Sequence, residues 1–180
     1  LNIVGPVARS NVWPYEHVPA ESTIEEYLEG AWEYREKIEK ETDHARDHSS
    51  TINREVYKST IEERDCGFCE GPMTAAQVSA HLNTPEWAAI RRFGIEQKDK
   101  IRPIDDASAN GANATSSRWE KLVTSSIDQI VSLIRHWLLV DPNVQLGAFA
   151  IDEFKAYRQI PLAPDQRRFS VIAVVNPAKS

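Results

Sequence analysis

The sequence predicts an α+β fold, and three features of it do the predicting. Two stretches, opening at Ile24 and at Trp119, repeat apolar residues at helical spacing. Two short runs, Phe93–Gln97 and Ile101–Ile104, flank a charged turn as the arms of a hairpin would. Two further apolar runs, Leu146–Ile151 and Phe169–Val175, have the length and composition of buried strands. Helices followed by strands, without regular alternation, give the α+β class.

Each element has a local reason. Residues 1–20 carry Pro6, Pro14 and Pro19 with little periodicity, and read as an extended or unstructured arm. Ser22 or Thr23 can cap a helix, and Glu25 and Glu26 suit the positive end of its dipole. That helix runs to about Lys40 or beyond, with Ile24, Tyr27, Leu28, Ala31, Trp32 and Ile38 along one side. Its other side is charged, so it either packs on the rest of the chain or stands free as an interaction helix. Residues 42–52 are polar and read as a linker, and Glu55–Arg64 is a second short helix. Gly71-Pro72 breaks the chain, Thr74 caps a helix from Ala75 to about Leu82, and Asn83-Thr84-Pro85 ends it. After the hairpin, Ala107–Ser117 is a loop rich in Ala, Ser, Asn and Gly. Trp119, Leu122, Val123, Ile127, Ile130, Val131, Ile134 and Leu138 then mark the strongest predicted helix, stopped by Asp141-Pro142. We divide the chain into a helical, acidic extension over 1–60 and a second unit over 61–180.

The bulk properties are those of an ordinary globular chain. Its 180 residues, 41% hydrophobic and 27% charged, suffice for one domain with a sizeable core. No apolar run approaches the roughly 18–20 residues of a membrane span, so no membrane partner is expected. No apolar leader core follows a basic start, and two cysteines make no disulfide framework, so an intracellular, non-secreted protein is expected. The chain begins at Leu1 rather than Met, as a processed or cut end would. The net charge of −6 is uneven: Glu16–Asp65 holds 15 acidic against 7 basic residues, and the remainder 12 against 14. Arg91–Arg102 holds five basic residues against Glu96 and Asp99, which suits phosphate contact or simply a solvated face.

The richest stretch is Ala150-Ile-Asp-Glu-Phe-Lys-Ala-Tyr-Arg-Gln-Ile-Pro-Leu-Ala-Pro164. An apolar run ends on Asp152, and Ala156-Tyr157 and Gln159-Ile-Pro-Leu162 follow in register. Upstream, Arg92-Phe-Gly-Ile-Glu-Gln-Lys-Asp-Lys-Ile-Arg-Pro-Ile-Asp-Asp106 leads into Asn110-Gly111-x-Asn113. Together these resemble the reverse transcriptases of retroelements, the first stretch their first catalytic carboxylate motif and the second their fingers segment. Gly67-Phe-Cys-Glu-Gly-Pro-Met73 is similar to a Gly-x-x-x-Gly-Pro element upstream of the fingers in some of them. The likeness is specific over about 91–113 and 146–170, and looser over 67–90.

The resemblance implies the fingers and a truncated palm of a right-hand polymerase, with a helical N-terminal extension. It implies RNA-directed DNA synthesis by two-metal nucleotidyl transfer, using Mg²⁺ or Mn²⁺, a template-primer of RNA or DNA, and a dNTP. Asp152 would be the catalytic carboxylate and metal ligand, since hard cations take oxygen donors. Glu153, Phe154, Lys155 and Ala156 would offer backbone groups to metal and triphosphate, and Tyr157 would be the aromatic gate against a 2′-hydroxyl. Arg102 would grip the triphosphate with its fork, Lys98 and Lys100 sharing the task. Asp105 and Asp106 read as residues orienting the loop, because strand neighbours face opposite ways. A palm of this family also needs a glycine motif and a Tyr-x-Asp-Asp turn, and neither occurs in these 180 residues. The expectation is a fragment, inactive alone as a polymerase.

Two other readings stay open. One is a non-catalytic module binding nucleic acid or protein, with the acidic half contacting a protein partner that the sequence does not identify. The other is a small zinc protein using Cys66, Cys69, His44 and His48, whose spacings allow a Cys₂His₂ site. Two plain thiols are the simpler reading. His17 and His136 lack partners for acid–base work, and no glycine-rich phosphate loop or Gly-x-Ser-x-Gly is present.

Overall fold

The structure, a computed structural model, describes residues 3–44 and 50–178. The described residues form a mixed α+β arrangement of two small sheets and four α-helices. Strand β1 (Tyr15–Val18) leads into α1 (Ile24–Asp43), α2 (Thr51–Asp65) and α3 (Ala75–Leu82). The hairpin β2 (Ala89–Gln97) and β3 (Lys100–Asp106) follows, then β4 (Arg118–Glu120), α4 (Ile127–Val140) and β5 (Val171–Ala173). Short 3₁₀ turns cover Ala112–Thr115, Ala156–Gln159 and Pro164–Phe169.

The helix starts follow the capping chemistry. Thr23 caps α1 and exchanges hydrogen bonds with Glu26, and Thr74 and Gln77 do the same for α3. Helix α2 begins earlier than its apolar pattern suggests, at Thr51, because the Ser50 side chain accepts from Asn53 N–H. The proposed boundary at residue 60 therefore falls inside α2.

The hairpin pairs in full register from Arg91 opposite Asp106 to Gln97 opposite Lys100, around a two-residue turn with Lys98 left-handed. Strand β5 adds in parallel to the other edge of β2. Successive residues Arg91 and Arg92 point to opposite faces of the sheet. Arg91 meets Glu41 of α1 at 3.3 Å, and Arg92 meets Glu63 of α2 at 2.8 Å. The two helices thus flank the base of the hairpin, and its tip, residues 95–100, projects into solvent.

One core cluster joins distant segments: Val4, Tyr27, Ala31, Ala88, Ala112 and Phe169. Asn110, itself buried, pins the 107–117 loop to it. Its amide donates to Tyr27 Oη and to Ala89 O, both at 3.0 Å, and its carbonyl accepts from Ala112 N–H at 3.0 Å. Desolvation first, and the neighbouring Tyr34 second, push the Tyr27 phenol from 10.0 up to about 12. A raised folded value means the contribution is intact below pH ~10 and is lost as pH climbs toward 12. Urea unfolding from pH 9 to 12 is expected to show a loss of about 2–3 kcal/mol that Tyr27→Phe removes. An identical decline in the variant would show that other groups drive it.

Four expectations change. Of the extended or unstructured arm expected over 1–20, the described residues are tied down rather than unstructured: Val4 is in the core and β1 pairs with β4. The strong helix starts at Ile127, not Trp119, because Ser126 and Gln129 form a capping box there and Trp119 belongs to β4. The Phe169–Val175 run shortens to β5, Phe169 closing a 3₁₀ turn whose ring packs on Tyr27 at 6.1 Å between centroids. Leu146–Ile151 is not a strand. It has no regular secondary structure and is exposed, with Phe149 87% accessible. In the three-stranded sheet β2 is flanked by β3 and β5, so this run has no place beside it.

Candidate functional site

The structure gathers part of both sequence motifs around one buried ion network. Arg92 projects from β2 toward α2, and its side chain is fully shielded from solvent. Its Nε and Nη2 donate to the two oxygens of Asp105, its cross-strand partner, at 2.6 and 2.9 Å. Its Nη1 donates to Glu63 Oε2 at 2.8 Å and to Thr60 Oγ1 at 2.9 Å. Residues 60 and 63 lie one helical turn apart, so α2 presents both to the guanidinium. From the other motif, Lys155 Nζ donates to Glu63 Oε1 at 3.4 Å, and Arg158 reaches both Asp105 Oδ2 and Glu63. Three cations surround two carboxylates, an arrangement that leaves no buried charge without a partner.

The network sets the titration of its members. Burial pushes Asp105 up, but the hydrogen bonds and charges of Arg92 and Arg158 outweigh it and hold the carboxyl below its ordinary 3.8. Burial disfavours the Arg92 charge, and its bonds to Asp105 and Glu63 more than restore it. Cys69 lies beside the same cluster. Burial, then the Glu63 charge, raise its thiol, which donates to Thr60 O at 3.8 Å. Cys66 is exposed at the end of α2, and His44 Nδ1 lies 3.0 Å from Lys40 O. His48 lies outside the described residues.

The residues assigned by resemblance are dispersed. Asp152, Glu153, Phe154, Ala156 and Tyr157 lie on an exposed segment, Tyr157 being 90% accessible. Asp152 is therefore not held at the end of a buried strand. Lys155 is half-buried, in a left-handed conformation that starts the 156–159 turn. Lys98, Lys100 and Arg102 are exposed at the hairpin tip. Strand alternation puts Lys100 and Arg102 on the face opposite Asp105, so the network does not bring them toward the 152–158 segment. Among the described residues no group of three His, Cys, Asp or Glu is placed to hold a metal ion. Asp152 alone does not fit a two-metal centre.

Sequence reasoning missed Arg92, Glu63 and Arg158, the residues that join the motifs. Glu63 carried a signal: a carboxylate spaced at i+7 from the apolar Val56 of α2 sits on the buried face. The expectation that Asp105 and Asp106 both orient the loop holds for Asp106 only. Asp105 binds the network, while Asp106 Oδ1 accepts from Ala109 N–H at 2.9 Å. Compared with known families, characterised proteins and solved structures, the chain matches none. The polymerase likeness thus stands on the motif residues alone. Among the described residues no helix is long and apolar enough to cross a membrane.

Proposed function

We propose that the chain is the fingers and first part of the palm of a reverse-transcriptase-like polymerase, binding nucleotide and template-primer. One observation supports the reading: Arg158, beside the Ala156-Tyr157 pair, is bonded to Asp105 of the hairpin 53 positions away. The two motifs that define the resemblance are thereby tied together by side chains belonging to both. Nucleotide transfer in this chemistry uses Mg²⁺ held by several carboxylates. These 180 residues lack a Tyr-x-Asp-Asp turn to supply the others. Purified chain with primed template, dNTPs and Mg²⁺ or Mn²⁺ is therefore expected to give no extension, and steady extension would refute that expectation. A fluorescent dNTP is expected to bind, with Arg102→Ala weakening it about tenfold or more, the scale of a charged hydrogen bond.

The exposed Asp152 and the hairpin cations on the far face favour a second reading, a module that binds nucleic acid without catalysis. Salt-dependent oligonucleotide binding, with no dNTP binding at any concentration tested, would select it.

A further inference from the structure

We propose that α4 is a self-association helix, pairing antiparallel with α4 of a second copy of this chain. All 14 of its residues are exposed. Its sequence is nevertheless strongly one-sided. Ile127, Val131, Ile134 and Leu138 follow one another at alternating spacings of four and three, the seam of a two-helix coiled coil. Each keeps 42–76% of its surface open. Ile130 and Trp137 run along one flank of this seam, and Asp128 and Arg135 along the other. Leu133 lies beside Ile130 and Trp137, one helical turn from each, and widens the apolar side. These side chains leave an apolar patch on the order of 600 Å² open to solvent. That is the upper end of what monomers leave uncovered, and it approaches the ~800 Å² that each partner gives to a standard interface.

The charges select the occupant. Asp128 and Arg135 are two turns apart and meet no opposite charge among the described residues. In an antiparallel pair related by a two-fold axis, each flank meets its own copy. The charged flank then sets Asp128 against the second copy's Arg135, and the symmetry repeats the pair. The same register layers Ile127 on the second copy's Leu138 and Val131 on its Ile134, and brings Ile130 to its Trp137. A parallel pair would instead set the charged flank against Ile130 and Trp137, leaving both charges against apolar side chains. A lipid surface fits less well. Interfacial helices carry a polar side rich in Lys and Arg, whereas α4 has one arginine, one aspartate and no lysine. The pairing uses no residue assigned to nucleotide or metal, so it stands or falls apart from the polymerase reading.

The test is sedimentation velocity of the intact chain at ~1–100 µM, the range over which an interface at the small end of the stable class dissociates. A concentration-dependent dimer is expected. Asp128→Arg sets like charges against each other on the shared flank, and is expected to weaken the dimer about tenfold. Arg135→Asp is expected to do the same. Asp128→Arg combined with Arg135→Asp exchanges the two charges and is expected to restore the original affinity, a recovery that damage to the fold does not produce. Ile134→Asp, on the seam, is expected to leave only monomer, with urea unfolding unchanged because the side chain is exposed. A chain that stays monomeric at the highest concentration would overturn the proposal. If that monomer floated with phosphatidylcholine vesicles, the face would belong to a lipid surface. A dimer indifferent to both single reversals, or one that the double exchange fails to restore, would overturn the antiparallel pairing.

Discussion

Arg92→Met is expected to cost the fold about 3 kcal/mol, the scale measured when one partner of a buried ion pair is removed. Methionine fills similar space but carries no charge. Glu63 is nearly inaccessible, and Asp105 largely so, and each would lose its central donor. Lys155 and Arg158 would remain beside them, which keeps the loss from being larger. Lys155→Met is the comparison. Its ammonium is partly exposed and meets Glu63 at 3.4 Å, so its removal should cost about 1 kcal/mol or less. Urea unfolding of the three proteins reads both values. A loss under 1 kcal/mol for Arg92→Met would mean that water replaces the guanidinium. The same network sets an acid limit. Asp105 titrates below its unfolded value, so its contribution is complete above about pH 4 and disappears as pH falls through the lowered folded value. Arg92→Met should shrink that acid dependence, because the largest opposing influence on Asp105 would be gone.

The sequence made legible those elements whose cause is local. Thr23 with Glu26 and Thr74 with Gln77 announce their helices, since a cap needs only residues three apart. The hairpin was legible because its charged two-residue turn sits between arms of matching length. Elements whose cause is distant were not. Leu146–Ile151 has the composition of a buried strand, yet strand formation needs an edge to pair with, and composition says nothing of edges. Trp119 fits a helical period, yet its backbone is claimed by β1, about a hundred positions earlier. The candidate site divides the same way. That Asp105 and Asp106 face opposite ways could be read from alternation alone, while the meeting of Glu63, Arg92, Asp105 and Arg158 depends on how α2 and the 156–159 turn come to one face of the hairpin.

How closely α2 approaches that face is set by Gly94, and here the second large effect is expected. A Cβ at this position would lie 2.7 Å from Ile52 Cγ2 and 2.8 Å from Val56 Cγ2, both on α2, and 2.8 Å from Ile101 Cγ2 across the hairpin. All three neighbours are branched side chains with few alternative rotamers, so the helix or the strand must move. Gly94→Ala is expected to cost about 1–3 kcal/mol as overpacking, although alanine suits a strand better than glycine does. Gly30, inside α1, supplies the opposite case: nothing lies within 4 Å of its added Cβ, so Gly30→Ala should gain about 0.5–1 kcal/mol. Opposite signs from one chemical change, read by urea unfolding, would show that contact rather than backbone freedom decides at Gly94. The effect should also reach the ion network, because Val56 and Thr60 lie on the face of α2 that ends in Glu63. Pairing Gly94→Ala with Val56→Ala makes room on α2 and should recover part of the loss if the clash is real. Strict additivity of the two losses would mean that α2 does not seat on Gly94, and that Glu63 is held against Arg92 by charge alone.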